Sequence, residues 1–300
     1  MKYDLIIIRY GEIALKAKYT RNYFEQILIR NIKKALNAEK IINKIDKEWG
    51  RLYLKTKNIE ESISILTRIF GVVSVSPAIK ISTDLNFISE KVCKITKNIL
   101  TKNNSFALRV NRVGNHDFTS QDIAIKVGDQ IVKKIRSKVD LTNPDFEIFI
   151  DIRENNTYIF IEKIPGIGGM PIGSQNNILS IIEDKYSILS SWYLLKRGCK
   201  IIFYIKNLKL QKDLIKFCNN WFVNKNIIIK NDKENEIIDI SNIISKNSCY
   251  AILTGDNINN NLNSIDKISE LKNIHKLPIL SPLIVMKDEE INKKLEIIGL

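Results

Sequence analysis

Apolar positions along the chain switch between two periods, and the switches set out its elements. Residues 3–9 (YDLIIIR) form a short apolar run suited to a buried strand, whereas residues 19–36 place Phe24, Ile27, Leu28, Ile32 and Ala35 at helical spacing. IINKIDK and WGRLYLKT read as two short strands. Asn58 stands as N-cap before the helical IEESISILTRIF, which ends at Gly71, and VVSVSPAIKI returns as a strand. Two β-α-β halves of this kind predict a ferredoxin-like α+β unit over residues 1–80.

A second α+β unit is expected over 81–165. Asp84 can cap a helix reaching about Leu100, and SFALRVNRV alternates as a strand. FTSQDIAIKVGDQIVKKIRSK puts Ile123, Val127, Ile131 and Ile135 on one helical face, and DFEIFIDIR and TYIFIEK form a hairpin turning at ENN. Glycines and prolines over 166–175 mark a linker. From 176 to 300, short apolar β-like runs (ILSII, KIIFYI, NIIIK, CYAILTG, PILSPLIV) alternate with the helical ILSSWYLLKR, LQKDLIKFCNNWFV and DEEINKKLEII. This rhythm predicts an α/β domain with a mostly parallel, doubly wound sheet. NINNNLNS, residues 257–264, is expected to be a polar loop.

Composition narrows the class without deciding it. The chain has 300 residues, 44% hydrophobic and 27% charged, an ordinary soluble balance. No apolar run reaches the roughly 20 residues of a membrane helix, and MKYDLIIIRYGE does not suit a signal peptide, so a cytoplasmic location is expected and no membrane partner. Four cysteines form no CxxC pair and only His116 and His275 accompany them; buried free thiols are expected, with no metal site. The formal net charge is +14, and residues 1–165 hold most of it, with 29 Lys and Arg against 19 Asp and Glu. A basic excess in one half points to a polyanion, because each neutralised phosphate releases counterions.

Three runs in order, RYGEIALKAKYTRNYFE (9–25), VDLTNPDFEIFIDIREN (139–155) and GIGGMPIGSQ (166–175), resemble the tRNA 4-thiouridine synthetase (tRNA sulfurtransferase) family. The resemblance implies a ferredoxin-like domain, a THUMP RNA-binding domain and a PP-loop ATP pyrophosphatase domain. It also implies tRNA as partner, held by its acceptor stem and 3′ end. In the family, uridine is adenylated and its oxygen replaced by sulfur carried on a cysteine, which the resemblance locates beyond Leu300.

Candidate RNA contacts are Lys16, Lys18 and Arg21 at a helix start, where cations and free amides can meet one phosphate. Arg109 and Arg112 stand three apart on a strand, on opposite faces, with Asn111 on the face of Arg109. Lys126, Lys133 and Lys134 follow on a helix.

The expected ATP loop departs from the family pattern. Counted back from KRG (196–198), the family's SGGxDS falls on residues 182–187, and of it only Ser187 remains; Glu183 and Asp184 replace the glycines, with Lys185 after them. Two carboxylates near a phosphate repel it, at about 4 kcal/mol per charge pair at 4 Å and an effective dielectric near 20. Gly255, in TGDN (254–257), matches the edge of the nucleotide pocket. The residues therefore predict a remnant nucleotide pocket with no cofactor and no catalytic residue, and a tRNA-binding protein that presents tRNA to a separate catalytic subunit. The alternatives are an active sulfurtransferase using ATP and Mg through a remodelled loop, or a protein-docking subunit.

Overall fold

The computed structural model describes residues 2–230, 235–258 and 263–300. The chain divides into two compact units: one holds the residues up to Arg9, Leu36–Thr67 and Ser74–Pro165; the other holds Tyr10–Ala35, Arg68–Val73 and Gly166–Leu300.

The chain runs β1 (Leu5–Tyr10), α1 (Lys18–Ala38), β2 (Lys44–Glu48), β3 (Arg51–Lys55), α2 (Ile59–Leu66), β4 (Val72–Ser82), α3 (Leu85–Thr96), β5 (Ser105–Arg112), α4 (Ser120–Ile135), β6 (Lys138–Val139), β7 (Phe146–Ile152), β8 (Asn156–Phe160) and β9 (Ile164–Pro165). Among the described residues these strands make one sheet in the order β2-β3-β1-β4-β8-β7-β5-β6, with β9 on β4. The hairpin expected at ENN forms, with β7 antiparallel to β8 and β5 parallel to β7.

Local chemistry sets the helix ends. Asp84 accepts the Phe87 N–H at 2.7 Å, and Thr119 with Asp122 makes a reciprocal capping box that starts α4. Asn58 sits at the N-cap of α2 but makes no side-chain cap bond.

Strand alternation divides the sheet of the first unit into two faces. Ile148, Ile150 and Ile152 join Ile88 and Val92 of α3 and Ile123, Val127 and Ile131 of α4 in one core. The intervening Phe149 packs in a second core with Leu5, Ile7, Tyr53, Ala78, Tyr158 and Phe160. Asp151, on the same alternation as Phe149, is only 2% exposed although it is charged.

The second unit adds β10 (Asn177–Ile182), α5 (Lys185–Lys196), β11 (Lys200–Ile205), α6 (Gln211–Asn220), β12 (Ile227–Ile229), α7 (Glu236–Asn247), β13 (Cys249–Leu253), α8 (Ser264–His275), β14 (Ile279–Leu280) and α9 (Asp288–Ile298). Its sheet runs β12-β11-β10-β13-β14, every recorded pair parallel. Cores lie on both faces: Ile201, Phe203 and Ile205 meet α5, α6 and α9, whereas Ile202 and Tyr204 meet Ile240 and Ile243 of α7. The doubly wound parallel sheet is thus present. Strand order reverses at β10, which places a crevice between the carboxyl ends of β10 and β13.

The glycine-rich run after Pro165 is packed. A Cβ on Gly169 would stand 2.3 Å from the Lys196 carbonyl oxygen, so only glycine admits that approach. Of NINNNLNS, residues 259–262 lie outside the described residues. Asn257 is buried and donates to the carbonyls of Leu283 and Met286 at 2.6 and 2.8 Å, so the start of that run holds the segment before α9.

Candidate functional site

Two places gather polar chemistry, one in each unit. In the first unit a cavity of about 670 Å³ opens on the sheet face opposite α3 and α4, lined by Arg9, Arg51, Arg109, Lys163, Asn111, Asp151, Phe149 and Phe160 among others. Its lining carries four cations against the single carboxylate of Asp151. Arg9 ends the apolar run of β1, so its guanidinium is drawn into the sheet. It lies 4.8 Å over the Phe160 ring and donates through Nη1 to Ser76 Oγ at 2.9 Å, while Nη2 is buried with no partner. Burial, reinforced by neighbouring Arg51, pushes the Arg9 guanidinium down to about 10.

Asp151 anchors the cationic side of this face. Its oxygens lie 2.8 Å from Arg51 Nε and 3.2 Å from Arg153 Nε. Neither Nε–H aims at the carboxylate, so these are charge contacts; aligned hydrogen bonds come from Arg153 Nη2 at 3.3 Å and Asn111 Nδ2 at 3.0 Å. Arg109 Nε donates to Glu147 at 2.6 Å, and Lys163 Nζ sits 3.9 Å over the Phe149 ring. Phe149 and Phe160 stack at 5.0 Å. Burial, then the charge of Arg9, lowers the Lys163 ammonium. Guanidinium groups, an ammonium and ring faces at one concave surface can take phosphate oxygens and an unpaired base together.

The expected RNA contacts separate on this framework. Arg109 and Asn111 line the cavity, and Arg112 does not; it turns to the Gly114 carbonyl and His116, as strand alternation requires. Lys126 donates to Asn86 on α3, and Lys133 and Lys134 are exposed late on α4; none lines the cavity. Lys16, Lys18 and Arg21 stand at the start of α1 in the second unit, Lys16 and Lys18 exposed and Arg21 3.9 Å from Glu25. Sequence reasoning missed Arg9, Arg51, Lys163 and Asp151. The available signal was a charge inside an apolar strand, LIIIR and FEIFIDI, which demands a buried partner.

The second place is the crevice where the sheet order reverses. Asp184 caps α5: its Oδ1 accepts the Ser187 N–H at 2.8 Å and the Ser187 hydroxyl at 2.7 Å. Ser187 Oγ in turn accepts the N–H groups of Glu183 and Asp184 at 3.3 and 3.4 Å. Three amides of the loop are therefore engaged from within. Glu183 joins a chain of alternating charge, Lys230–Glu236–Lys206–Glu183–Lys267–Asp256, in which Lys206 lies 2.8 Å from Glu183 and 2.7 Å from Glu236. Burial alone would raise the Glu183 carboxyl, but the hydrogen bonds and charges of Lys206 and Lys267 outweigh it and hold the group below the usual glutamate range.

The two acids are thus no bare negative patch. Asp184 fills the anion position at the helix N-terminus, and Glu183 is neutralised by two lysines. Lys185 follows as the first residue of α5, and Gly255 packs so tightly on the loop that a Cβ there would stand 2.4 Å from the Ser187 nitrogen. All four cysteines are buried and free, and burial pushes the thiols up, Cys218 to about 12 and Cys249 to about 11. Among the described residues no helix is long and apolar enough to cross a membrane.

Comparison with known proteins fits this architecture. Family models for the ThiI ferredoxin-like domain and the THUMP domain match residues 5–76 and 82–162. A probable tRNA sulfurtransferase of Methanobrevibacter smithii is 38% identical over 208 residues, 67% of this chain and 53% of that protein. One from Methanocaldococcus jannaschii is 31% identical over 338 residues, covering 98% of this chain and 87% of its own. The chain belongs to the tRNA sulfurtransferase family. It spans about half the length of the first curated relatives it matches. Among solved structures, PH1313 from Pyrococcus horikoshii shares 30% identity with a TM-score of 0.86, covering 99% of this chain and all of its own. A 4-thiouridine synthetase solved with RNA and ATP has a TM-score of 0.82 at 22% identity, over 99% of this chain and 85% of its own, a likeness of fold. This sulfurtransferase relative thus carries a ferredoxin-like domain, a THUMP domain and a mostly parallel α/β domain.

Proposed function

We infer that this member of the family is a tRNA-binding protein without ATP-dependent adenylation or sulfur transfer of its own, which presents tRNA to a separate tRNA-modifying catalytic subunit. The carrying observation is the self-satisfied loop at the sheet's reversal point. The Asp184 carboxylate takes the Ser187 N–H, and Glu183 is engaged by Lys206 and Lys267. A triphosphate entering there would have to displace a carboxylate from its amide and break two ion pairs. The residues present do not fit ATP and Mg.

The binding half of the reading rests on the cationic cavity of the first unit. Arg9, Arg51, Arg109 and Lys163 offer a surplus of positive charge beside Phe149 and Phe160, suited to the single-stranded 3′ end of tRNA, with the acceptor stem on the surrounding basic surface. Lys16, Lys18 and Arg21, and Lys126, Lys133 and Lys134, are proposed as phosphate contacts along the stem.

Calorimetry with Mg·ATP tests the first half. The parent chain is expected to show no binding, and the Glu183→Gly/Asp184→Gly variant to bind weakly or not at all; tight binding by the parent would overturn the reading. Gel retardation tests the second half: tRNA is expected to shift, and tRNA lacking its single-stranded 3′ end to shift about ten-fold less well. Equal affinity for both would exclude the 3′-end assignment.

A further inference from the structure

The second unit holds another concave site, at the opposite end of its sheet from the reversal-point crevice. It is a cavity of about 320 Å³ between the middle of α1, the amino end of β11 and the turn after α6. Its size suits one small ligand.

Three cations face it, Arg30 and Lys34 from α1 and Lys200 from the start of β11, and among the described residues its lining contains no carboxylate. Arg30 and Lys34 are four residues apart, on one side of the helix, where like charges repel unless an anion lies against them. All three are exposed. Lys34 donates to Asn224 Oδ1, and Asn31 Nδ2 holds the Ile172 carbonyl at 3.0 Å, so the wall is fixed by polar contacts that leave its charge uncompensated.

The floor is of the other chemistry. Trp221 is buried, and its indole N–H is satisfied by the Ile298 carbonyl at 3.3 Å, so the ring offers only apolar surface. Phe222 adopts φ +53, a left-handed backbone that aromatic residues rarely take. The turn is held by the Phe222 N–H on the Asn219 carbonyl at 3.3 Å and the Val223 N–H on the Cys218 carbonyl at 2.9 Å, and the Arg68 guanidinium lies 5.1 Å from the Phe222 ring. A glycine would terminate α6 with less strain; retaining a strained phenylalanine beside a cluster of unneutralised cations points to a use for the ring.

We propose that this cavity binds one nucleotide unit, its phosphate among Arg30, Lys34 and Lys200 and its base against Phe222 and the neighbouring apolar floor. The unit comes either as a free mononucleotide or as an unpaired nucleotide of an RNA strand. The site shares no residue with the cavity of the first unit, so it stands apart from the tRNA grip proposed there.

The test titrates the full chain with UMP, uridine and inorganic phosphate by calorimetry. UMP binds, and uridine and phosphate each bind about ten-fold more weakly, because each supplies half of the recognition. Arg30→Glu/Lys34→Glu weakens UMP about ten-fold. Phe222→Gly keeps the melting temperature, since glycine accepts the backbone, yet weakens UMP while leaving phosphate binding unchanged. Displacement of UMP by a single-stranded pentanucleotide assigns the site to RNA; no displacement assigns it to a free nucleotide. The titrations are repeated in an Arg9→Met/Arg109→Met background, which removes nucleotide binding at the first unit's cavity; the loss caused by Arg30→Glu/Lys34→Glu is expected to persist there, and its disappearance would assign UMP to the first unit and overturn the proposal. Absence of UMP binding, or UMP binding indifferent to both the charge-reversed and the Phe222→Gly variants, overturns the proposal.

Discussion

Asp184 and Asp151 show how one carboxylate takes opposite roles by what surrounds it. Asp184 serves backbone: it accepts an amide and a hydroxyl at the first turn of α5. Asp184→Ala is expected to cost about 1 kcal/mol, and Asp184→Ser much less, because serine also caps; urea denaturation of the full chain reads the difference. Asp151 serves charge, with Arg51 and Arg153 against it and Asn111 donating to it at 2% exposure. Asp151→Ala leaves two guanidinium groups uncompensated in a low-dielectric setting and is expected to cost about 3 kcal/mol. Its effect on RNA is expected to be smaller than that of Arg9→Met at equal folded fraction, because Arg9 lines the cavity with a cation whose buried Nη2 has no partner, whereas Asp151 is already engaged by Arg51, Arg153 and Asn111. A filter-binding comparison of the two variants decides this.

The elements were legible in the sequence where period and caps agree. The spacing of Ile123, Val127 and Ile131 and the Thr119–Asp122 box fix α4, and the apolar runs of β10, β11 and β13 fix the parallel sheet. α7 and α8 were not expected: α7 mixes β-branched isoleucines with asparagine and serine, and it buries Ile240 and Ile243 with Ile244 half-buried beside them, too few for a clear stripe. PILSPLIV gave only the two-residue β14, because Pro282 lies just past its end and the segment turns instead. The candidate crevice was half legible. Glu183 and Asp184 were visible as departures from a glycine loop, but Lys206 and Lys267 reach Glu183 from distant positions, 84 residues away for Lys267, which no local pattern reveals.

That pairing makes the loop's stability depend on pH in a stated direction. The Glu183 and Glu236 carboxyls are held below their usual range. Their contribution is therefore present above the unfolded value of about 4.3 and is lost as pH falls through the lowered folded values. Lys206 and Lys267 are held above theirs, so their contribution is present below about 10.4 and is lost as pH rises through the raised folded values. The contribution of this ion-pair chain, read as the difference in thermal melting between the parent and Glu183→Gln, is expected to be flat from about pH 5.5 to 9.5 and to fall on both sides. Glu183→Gln should lower the plateau by about 1 kcal/mol, a figure discounted for partial exposure of the pair, and should shallow the acid limb.

At the scale of the whole chain, charge and fold divide the labour. The net excess of +10 over residues 1–165 falls where the cationic cavity and α4 lie, whereas the reversal-point crevice of the second unit sets four carboxylates, Glu183, Asp184, Glu236 and Asp256, against three lysines, Lys206, Lys230 and Lys267, and offers no positive surplus. RNA affinity should therefore be an electrostatic property of the first region and indifferent to the crevice. Counterion release gives the measure: log K falls with log salt at about −0.7 to −0.9 per phosphate neutralised. Arg109→Met is expected to weaken tRNA binding uniformly across tRNA species and to reduce the slope by about 1, since Arg109 is exposed enough to exchange Glu147 for a phosphate. Glu183→Gly/Asp184→Gly should leave both affinity and slope unchanged. If instead the crevice variant changes the slope as much as Arg109→Met does, RNA runs across that crevice, and its ion pairs are a gate that RNA opens rather than a filled remnant.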